Sequence, residues 1–399
     1  MDCYLDNAAT TRVSEKVFEK MSEVYLKDFG NPSSMHRVGM NAENYIKTAR
    51  NEISSVLKCD PGELVFTSGG TESNNMALVG AALANSRAGK HIITTRMEHA
   101  SVYNPVLFLE ERGFEVSFCE VDKRGHVDIE NLLSLMRDDT ILVSVMFVNN
   151  EIGSVNDIAL ISRAIKEKAP NVIFHVDAIQ AFGKIKIVPK NLGIDLLSVS
   201  GHKIHGPKGS GFLYIRKGIK VKPIINGGGQ EKGMRSGTEN VPAIAGLGVA
   251  ASDMYKDLEK NREHLFALKE RLIRGLLEIP GTYVHTIGNA KDVEESGEDL
   301  TKIISETAPH IVSCGFEGVR SEVLLHALEE RGVYVSSGSA CSSNHPAISG
   351  TLKAIGTDRK YLDSTIRFSF SVYTKEEEID EALKVLNELL PNLRRFTRH

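Results

Sequence analysis

The sequence predicts an α/β fold: a large unit built on a mostly parallel sheet covered by helices, followed by a smaller α+β unit. Three observations predict it. Short β-branched runs alternate with helical stretches between Glu63 and Arg216, the rhythm of strand–helix–strand units. Two of these runs, ILVSVMFV (141–148) and VIFHVD (172–177), are almost continuously apolar, as strands buried on both faces are, and so belong at the centre of the sheet. After Val241 the pattern changes to long helical periodicity and then to mixed α and β.

In chain order the predicted strands of the large unit are LVFT (64–67), HIITT (91–95), EVSFCEV (115–121), ILVSVMFV, VIFHVD, DLLSVS (195–200) and GFLYI (211–215). From Val241 to Leu277 a helical stretch begins apolar all round and becomes amphipathic after Asp253, which marks it as the connection between the two units. A polar, acid-rich insert (291–302) follows, then a strand near HIVSCGF, an amphipathic helix over SEVLLHALEERG, a short strand in STIRFSFS (364–371) and a terminal helix over KEEEIDEALKVLNELL. The expected division is a large domain over 15–256 and a small domain over 257–399, which the N-terminal segment 1–14 joins. A chain of 399 residues suits two domains at ~100–200 residues each.

Forty-eight Lys and Arg against 52 Asp and Glu leave a formal charge of -4, so there is no basic footprint for nucleic acid or for an anionic membrane. The first residues, MDCYLDNAATTR, hold acids and no apolar block, and no apolar run approaches the ~18 residues of a membrane span. A cytoplasmic protein is expected. The five cysteines, Cys3, Cys59, Cys119, Cys314 and Cys341, are too few and too scattered for a disulfide framework, and their odd number leaves at least one thiol free. No CxxC occurs, which argues against structural zinc, and no metal is expected.

Five motifs follow strands. In SGHKIHGPKG (200–209) a strand ends at Ser200 and a polar turn carries His202 and Lys203; a lysine in the cleft at a strand's carboxyl end can lose its proton and attack a carbonyl, or be a solvated loop lysine. VIFHVDAIQ puts Asp177 at the end of an apolar strand, where it either meets a cation such as a protonated pyridine nitrogen or caps the next helix. FTSGGTESNN (66–75) runs a strand into Gly70 and Thr71 at a helix start, a candidate phosphate cradle or a plain capped turn. RMEHAS presents His99, and MFVNNEIG presents Asn149, Asn150 and Glu151. Thr71, His99, Asn150, Asp177 and Lys203 all fall at carboxyl ends of predicted parallel strands, where one crevice collects them. Later, Cys341 lies in a Gly/Ser loop suited to a reactive thiol or an idle one. Arg367 sits in a short strand, able to grip a carboxylate or to form a surface ion pair.

Taken together, YLDNAATT (4–11), FGNPSSMH (29–36), SGGTESNN, MEHAS, NNEIG, HVDAIQ, SGHKIHGPKG, RSGTEN (235–240), SSGSACSS and IRFSFS resemble the cysteine desulfurases of the NifS and IscS type. These are fold-type I pyridoxal-phosphate enzymes related to class V aminotransferases. The resemblance implies pyridoxal 5'-phosphate as cofactor, with Lys203 as its Schiff-base lysine, Asp177 on the pyridine nitrogen and Gln180 on the phenolic oxygen. It stacks His99 on the ring. It also implies that Gly70, Thr71, Ser200 and His202 hold the phosphate, with Thr238 reaching it from the second subunit of a homodimer. Asn150 and Arg367 hold the substrate carboxylate, and Cys341 attacks the sulfur of L-cysteine to give L-alanine and a persulfide. His99 is a candidate to help deprotonate the thiol. The implied partner is a protein sulfur acceptor, either an iron–sulfur scaffold or a tRNA-thiolation enzyme. An aminotransferase and a selenocysteine lyase are the alternatives on the same fold. After the cysteine, Ser342, Ser343, Asn344, His345 and Pro346 depart from the Thr-Ser continuation common in relatives.

Overall fold

The computed structural model describes residues 1–337 and 349–396. Its strands are β1 (Cys3–Tyr4), β2 (Leu64–Thr67), β3 (His91–Thr95), β4 (Glu115–Cys119), β5 (Thr140–Met146), β6 (Ile173–Asp177), β7 (Leu196–Ser200), β8 (Gly211–Ile215), β9 (Thr282–Val284), β10 (Ile311–Phe316), β11 (Val333–Tyr334), β12 (Ser336–Ser337) and β13 (Thr365–Ser369). Among the described residues the large sheet has seven strands in the order β2-β8-β7-β6-β5-β3-β4. Only β8 runs against its neighbours, pairing antiparallel with both β2 and β7. The carboxyl ends of β2, β3, β5, β6 and β7 therefore share one edge of the sheet.

The apolar runs read as central take central places, β6 fourth and β5 fifth in the sheet, each buried along its whole length. At the edge, β4 is largely uncovered and shorter than the sequence pattern suggests. It stops at Cys119, and Val121 makes only an isolated bridge to Val127.

The helical stretch after Val241 is two helices, Val241–Lys256 and Leu258–Leu277, broken at Asp257, where φ is -114° and ψ 28°. The first lies against the helices Glu15–Leu26 and Arg37–Leu57. Gly248 permits that approach, since a Cβ there would stand 2.7 Å from Ala49 Cα.

Beyond the break, β12-β13-β10-β9 form an antiparallel sheet. A separate apolar core gathers Leu268, Leu272, Phe316, Phe368 and Leu386, and it includes Cys3 and Leu5 from the N-terminus. The chain start reaches that core because β1 pairs in parallel with β11 and Asp6 bridges to Ser369. The last helix, Glu376–Phe396, runs one and a half turns past the pattern's end at Leu390, straight through Pro391. Buried Leu386 and Leu390 hold it on the core, and Arg394 Nε donates to the Glu317 carbonyl at 3.0 Å, which offsets the backbone bond a proline removes. Among the described residues no helix is long and apolar enough to cross a membrane, and no cluster of His, Cys, Asp and Glu is arranged to hold a metal ion.

Candidate active site

The strand β2 ends at Thr67 and the chain turns through Ser68 and Gly69 into the helix Gly70–Asn75. Gly69 has φ +144°, a conformation that suits glycine. A Cβ on Gly70 would lie 2.2 Å from Cδ1 of Ile179, so the glycine lets the helix start come up against the turn after β6 without moving that side chain. Beside it opens a cavity of about 340 Å³ whose walls include Thr10, Gly70, Thr71, Ser200, His202 and Lys208. Hydroxyls, a helix start and a lysine facing one cavity form a cradle for an anion. His202 Nδ1 lies 3.2 Å from Thr10 Oγ1. Burial, with the charges of Lys203, Lys208 and Lys184, holds His202 down to about 4, so its imidazole is neutral at pH 7.

Lys203 closes a short helical turn directly after β7. Its Nζ donates to the carbonyls of Ala8 and Ala9 at 2.6 and 2.7 Å, bringing the N-terminal segment over the strand ends. Behind it, buried Lys184 donates to the Lys203 carbonyl at 2.6 Å; burial and the Lys203 charge hold Lys184 down to about 7.

Asp177 is buried at the end of β6. Its Oδ1 accepts from the Ile179 backbone N–H at 3.0 Å and its Oδ2 from Asn74 Nδ2 at 2.8 Å. Burial pushes its carboxyl above the usual range, and these hydrogen bonds, with the charges of His99 and Lys203, pull the other way. Asp177 thus sits in a low-dielectric place that rewards a cation beside it.

Asn74 also donates to Ser101 Oγ at 2.9 Å, and its Oδ1 is buried with no hydrogen-bond partner. The Ser101 backbone N–H donates to His99 Nδ1 at 3.1 Å, and Ser101 Oγ lies 2.8 Å from the same nitrogen. Accepting there requires the other ring nitrogen to carry the proton, so neutral His99 presents an Nε2–H. Burial and Lys203 push His99 below its ordinary pKa while Asp177 pulls it up.

Gln180 Nε2 donates to the Ala8 carbonyl at 3.0 Å, so Gln180 and Lys203 share one acceptor. On the far side of the edge, Arg367 is not the surface residue of an exposed ion pair. It is buried in β13, where Nη1 donates to the Asn150 carbonyl at 2.8 Å and Nη2 to Asp6 Oδ1 at 2.9 Å. Its Nε is buried with no hydrogen-bond partner. The Asn150 loop is braced by Glu151, which accepts from Ser349 Oγ at 2.5 Å and Thr351 Oγ1 at 3.1 Å.

The structure thus brings Gly70, Thr71, Ser200 and His202 to one cavity, joins His99, Asp177 and Lys203 electrostatically, and puts Asn150 on Arg367. Thr238 lines a different cavity of about 150 Å³ that shares Ser68 and Gly209 with the first. Cys341 lies outside the described residues. Sequence reasoning left out Asp6, Asn74, Glu98 and Ser101, which lie inside the quoted motifs, and Lys184, which lies outside them. Nor could it foresee the Ala8 and Ala9 carbonyls, because backbone acceptors leave no side-chain signature.

These groups meet the demands of pyridoxal phosphate: an anion cradle lined by Gly70, Thr71, Ser200, His202 and Lys208, a buried acid for a ring nitrogen, and a lysine for an aldehyde. The residues present fit the cofactor.

Glu98 adds a pH dependence. Its Oε1 accepts from Thr95 Oγ1 at 2.9 Å and from the Met146 N–H at 3.1 Å, while Oε2 is buried and unpartnered. Burial, reinforced by Asp177, raises its carboxyl to about 8. A raised carboxyl contributes stability that is fully present below its unfolded value of about 4.3 and is lost as pH rises through about 8. Glu98→Gln, neutral throughout, is therefore expected to gain stability relative to wild type as pH rises across that window. Melting temperatures of the two proteins between about pH 5 and pH 8.5 check this, and a pH-independent difference overturns it.

Residues 3–382 match the family model for aminotransferase class-V. A cysteine desulfurase IscS of Methanosarcina thermophila is 41% identical over 394 residues, covering 99% of this chain and 93% of that one. Among solved structures, a NifS-like protein superposes with a TM-score of 0.90 at 37% identity, covering 98% of this chain and all of the other. SspA, solved in complex with cysteine, gives 0.78 at 33% identity, with 94% of this chain and 100% of that one covered. A glycine-lined anion cradle, a buried strand-end acid and a strand-end lysine on this fold, with matches along nearly the whole length, place the chain in the class-V aminotransferase family, among its pyridoxal-phosphate-dependent cysteine desulfurases.

Proposed function

We propose that this enzyme takes the sulfur of L-cysteine onto Cys341 as a persulfide, releases L-alanine, and passes the sulfur to a protein acceptor, an iron–sulfur scaffold or a tRNA-thiolation enzyme. The observation that carries the reading is the convergence at one sheet edge of Lys203 directly after β7, buried Asp177 at the end of β6, and His99, whose Nδ1 accepts from the Ser101 that Asn74 ties to Asp177. The cysteine complex of the similar SspA supports L-cysteine as the substrate. Alanine release from L-cysteine without a keto acid, together with a mass gain of one sulfur atom on the Cys341 peptide, tests it; alanine formed only when a keto acid is supplied overturns it.

When bound, pyridoxal phosphate supplies an aldehyde for an amine to hold and a ring that draws electrons from the substrate's Cα. Lys203 Nζ would hold that aldehyde and, as a free amine, would be the base that takes the Cα proton. Asp177 keeps the ring nitrogen protonated, and Gln180 Nε2 donates to the phenolic oxygen. Gly70, Thr71, Ser200 and His202 hold the phosphate. His99 stacks on the ring and presents its Nε2–H as a proton donor, since Nδ1 is committed to Ser101. Cys341, as thiolate, attacks the substrate sulfur: an S–S bond forms, the C–S bond breaks, and its electron pair stays with the carbon skeleton, which gains a proton to become alanine.

Arg367 and Asn150 hold the substrate carboxylate. The bonds of Nη2 to Asp6 and of Nη1 to the Asn150 carbonyl use two of the five guanidinium N–H groups, so the unpartnered Nε–H and the second hydrogens of Nη1 and Nη2 are the donors left for the substrate. Arg367→Ala is expected to weaken L-cysteine binding roughly ten- to hundredfold, since a hydrogen bond to a charged group is worth about 1.5–3 kcal/mol. Spectral titration with L-cysteine measures it, and unchanged affinity would make Arg367 a purely structural residue.

The working unit in this reading is a homodimer, and each chain divides into two domains, 15–256 and 257–399. Phe18, Leu26, Phe29 and Met35 are about two-thirds or more exposed on the N-terminal helices and the loop joining them, apolar groups that a second subunit would cover. Thr238, outside the anion cavity of its own subunit, serves the partner's phosphate. Light scattering at assay concentration should give twice the chain mass of 43.8 kDa; a fully active monomer overturns the dimer.

A further inference from the structure

His310, directly before β10, is a buried histidine to which the mechanism above gives no task. It lies 130 positions from Gln180 in sequence, yet its Nε2 stands 3.1 Å from Gln180 Oε1. Gln180 Nε2 in turn donates to the Ala8 carbonyl at 3.0 Å. That carbonyl can only accept, so the amide group facing it must be the nitrogen, and the oxygen must face His310. His310 Nε2 must then carry the ring proton. The opposite nitrogen, Nδ1, is buried without a hydrogen-bond partner, as an unprotonated ring nitrogen. A neutral ring agrees with its surroundings: burial and the charges of Lys184, Lys269, Arg367 and Lys203 hold its pKa far below the ordinary histidine value.

We propose that His310 is a positioning residue: its Nε2–H pins the Gln180 amide so that the nitrogen, not the oxygen, faces the Ala8 carbonyl and the cofactor's phenolic oxygen. This rests on the reading of Gln180 given above. An amide has two N–H groups, one on Ala8 and one remaining for the phenolic oxygen. Without His310 as donor, only the Ala8 carbonyl opposes a half-turn of the amide, which would set Oε1 against both oxygens. Because Lys203 Nζ donates to the same Ala8 carbonyl, the disturbance reaches the reacting lysine.

The test is a pH titration of the visible absorbance band of the pyridoxal-phosphate-loaded enzyme, for wild type, His310→Phe, His310→Gln, Gln180→Met and the double variant His310→Phe/Gln180→Met. Losing the donor makes the phenolic oxygen hold the proton it shares with Lys203 Nζ more tightly. The midpoint of His310→Phe should therefore move up by about one pH unit, the scale a hydrogen bond to a charged oxygen sets. Its kcat should fall about tenfold with KM for L-cysteine little changed, that shift amounting to about a factor of ten. His310→Gln, whose amide nitrogen reaches about as far as Nε2, should restore the wild-type midpoint, and His310→Phe should add nothing in the Gln180→Met background. If Gln180→Met shifts the midpoint and His310→Phe does not, the role of Gln180 stands and that of His310 falls. If Gln180→Met leaves the midpoint in place, the reading of Gln180 falls and takes the proposal with it. The ¹⁵N shifts of His310 in ligand-free wild-type protein test the idea independently of any variant's folding: Nε2 must be the protonated nitrogen, and an Nδ1–H tautomer overturns it.

Discussion

Lys203→Ala is expected to fold, to lose the visible absorbance of the cofactor–lysine linkage, and to turn over L-cysteine roughly 10²–10⁴-fold more slowly or worse, the range that a positioned proton-transfer group contributes. The loss should be this large because one atom has two tasks, holding the aldehyde and moving the Cα proton. The fold should survive because the groups around Nζ are the Ala8 and Ala9 carbonyls at the edge of the cleft, where water can replace a cation. Deeper in, Lys184 grips the Lys203 backbone carbonyl, a contact that the substitution leaves in place. Cofactor should still enter the cradle, because Gly70, Thr71, Ser200 and His202 do not depend on the amine. The variant's spectrum should therefore be that of a free aldehyde, and an added small amine should recover part of the rate. An unchanged visible band, with borohydride reduction labelling another lysine, would reassign the anchor.

Much of this arrangement is legible in the residue order because the sheet imposes simple rules. β5 and β6 are buried at every position and almost continuously apolar since both faces are covered, so their central place can be read directly from composition. Strands running one way put their polar ends on one edge, so Thr71, His99, Asn150, Asp177 and Lys203 could be grouped from position alone. The direction of β8 is a different matter: GFLYI reads the same in either orientation, and only its pairing with β2 and β7 shows that it runs backwards.

Contacts between distant segments are hidden for a similar reason. His310 and Gln180, Arg367 and Asp6, and the Ala8 carbonyl with Lys203 meet because the chain start crosses from the small core to the strand ends. No periodicity records such a crossing. Arg367 shows the consequence: an arginine in a short strand suits a carboxylate grip or a surface ion pair, but Asp6, itself only part-exposed, arrives from the other end of the chain to pair with a buried arginine. The pattern ends the helix at Leu390 because Pro391 is a local stop signal, and Leu393, partly buried against the small core beyond it, carries the helix on.

Cys341→Ala carries the second large effect, and it separates sulfur transfer from every earlier step. The assignments above give Cys341 no part in holding cofactor or substrate, so the variant should keep the visible band and bind L-cysteine with affinity near that of wild type. Alanine release should fall to a trace, roughly 10²–10⁴-fold down or more, because the nucleophile that breaks the C–S bond is gone and water at the same place is far less reactive toward sulfur. No persulfide should form. The other thiols cannot substitute. Cys3, Cys119 and Cys314 are buried, and burial holds Cys119 up to about 12 and pushes Cys314 further still, so neither is ionised at neutral pH. Cys59 is only half-buried, yet burial and the charges of Glu63 and Asp60 also raise it to about 12. Replacing any of these four should leave turnover nearly intact. The decisive measurement is alanine release with a reductant present, alongside mass spectrometry of the cysteine peptides for a gain of one sulfur atom. Normal alanine production by Cys341→Ala, or added sulfur found only on another cysteine, would move the nucleophile elsewhere and reopen the lyase reading, in which sulfur leaves without ever bonding to the protein.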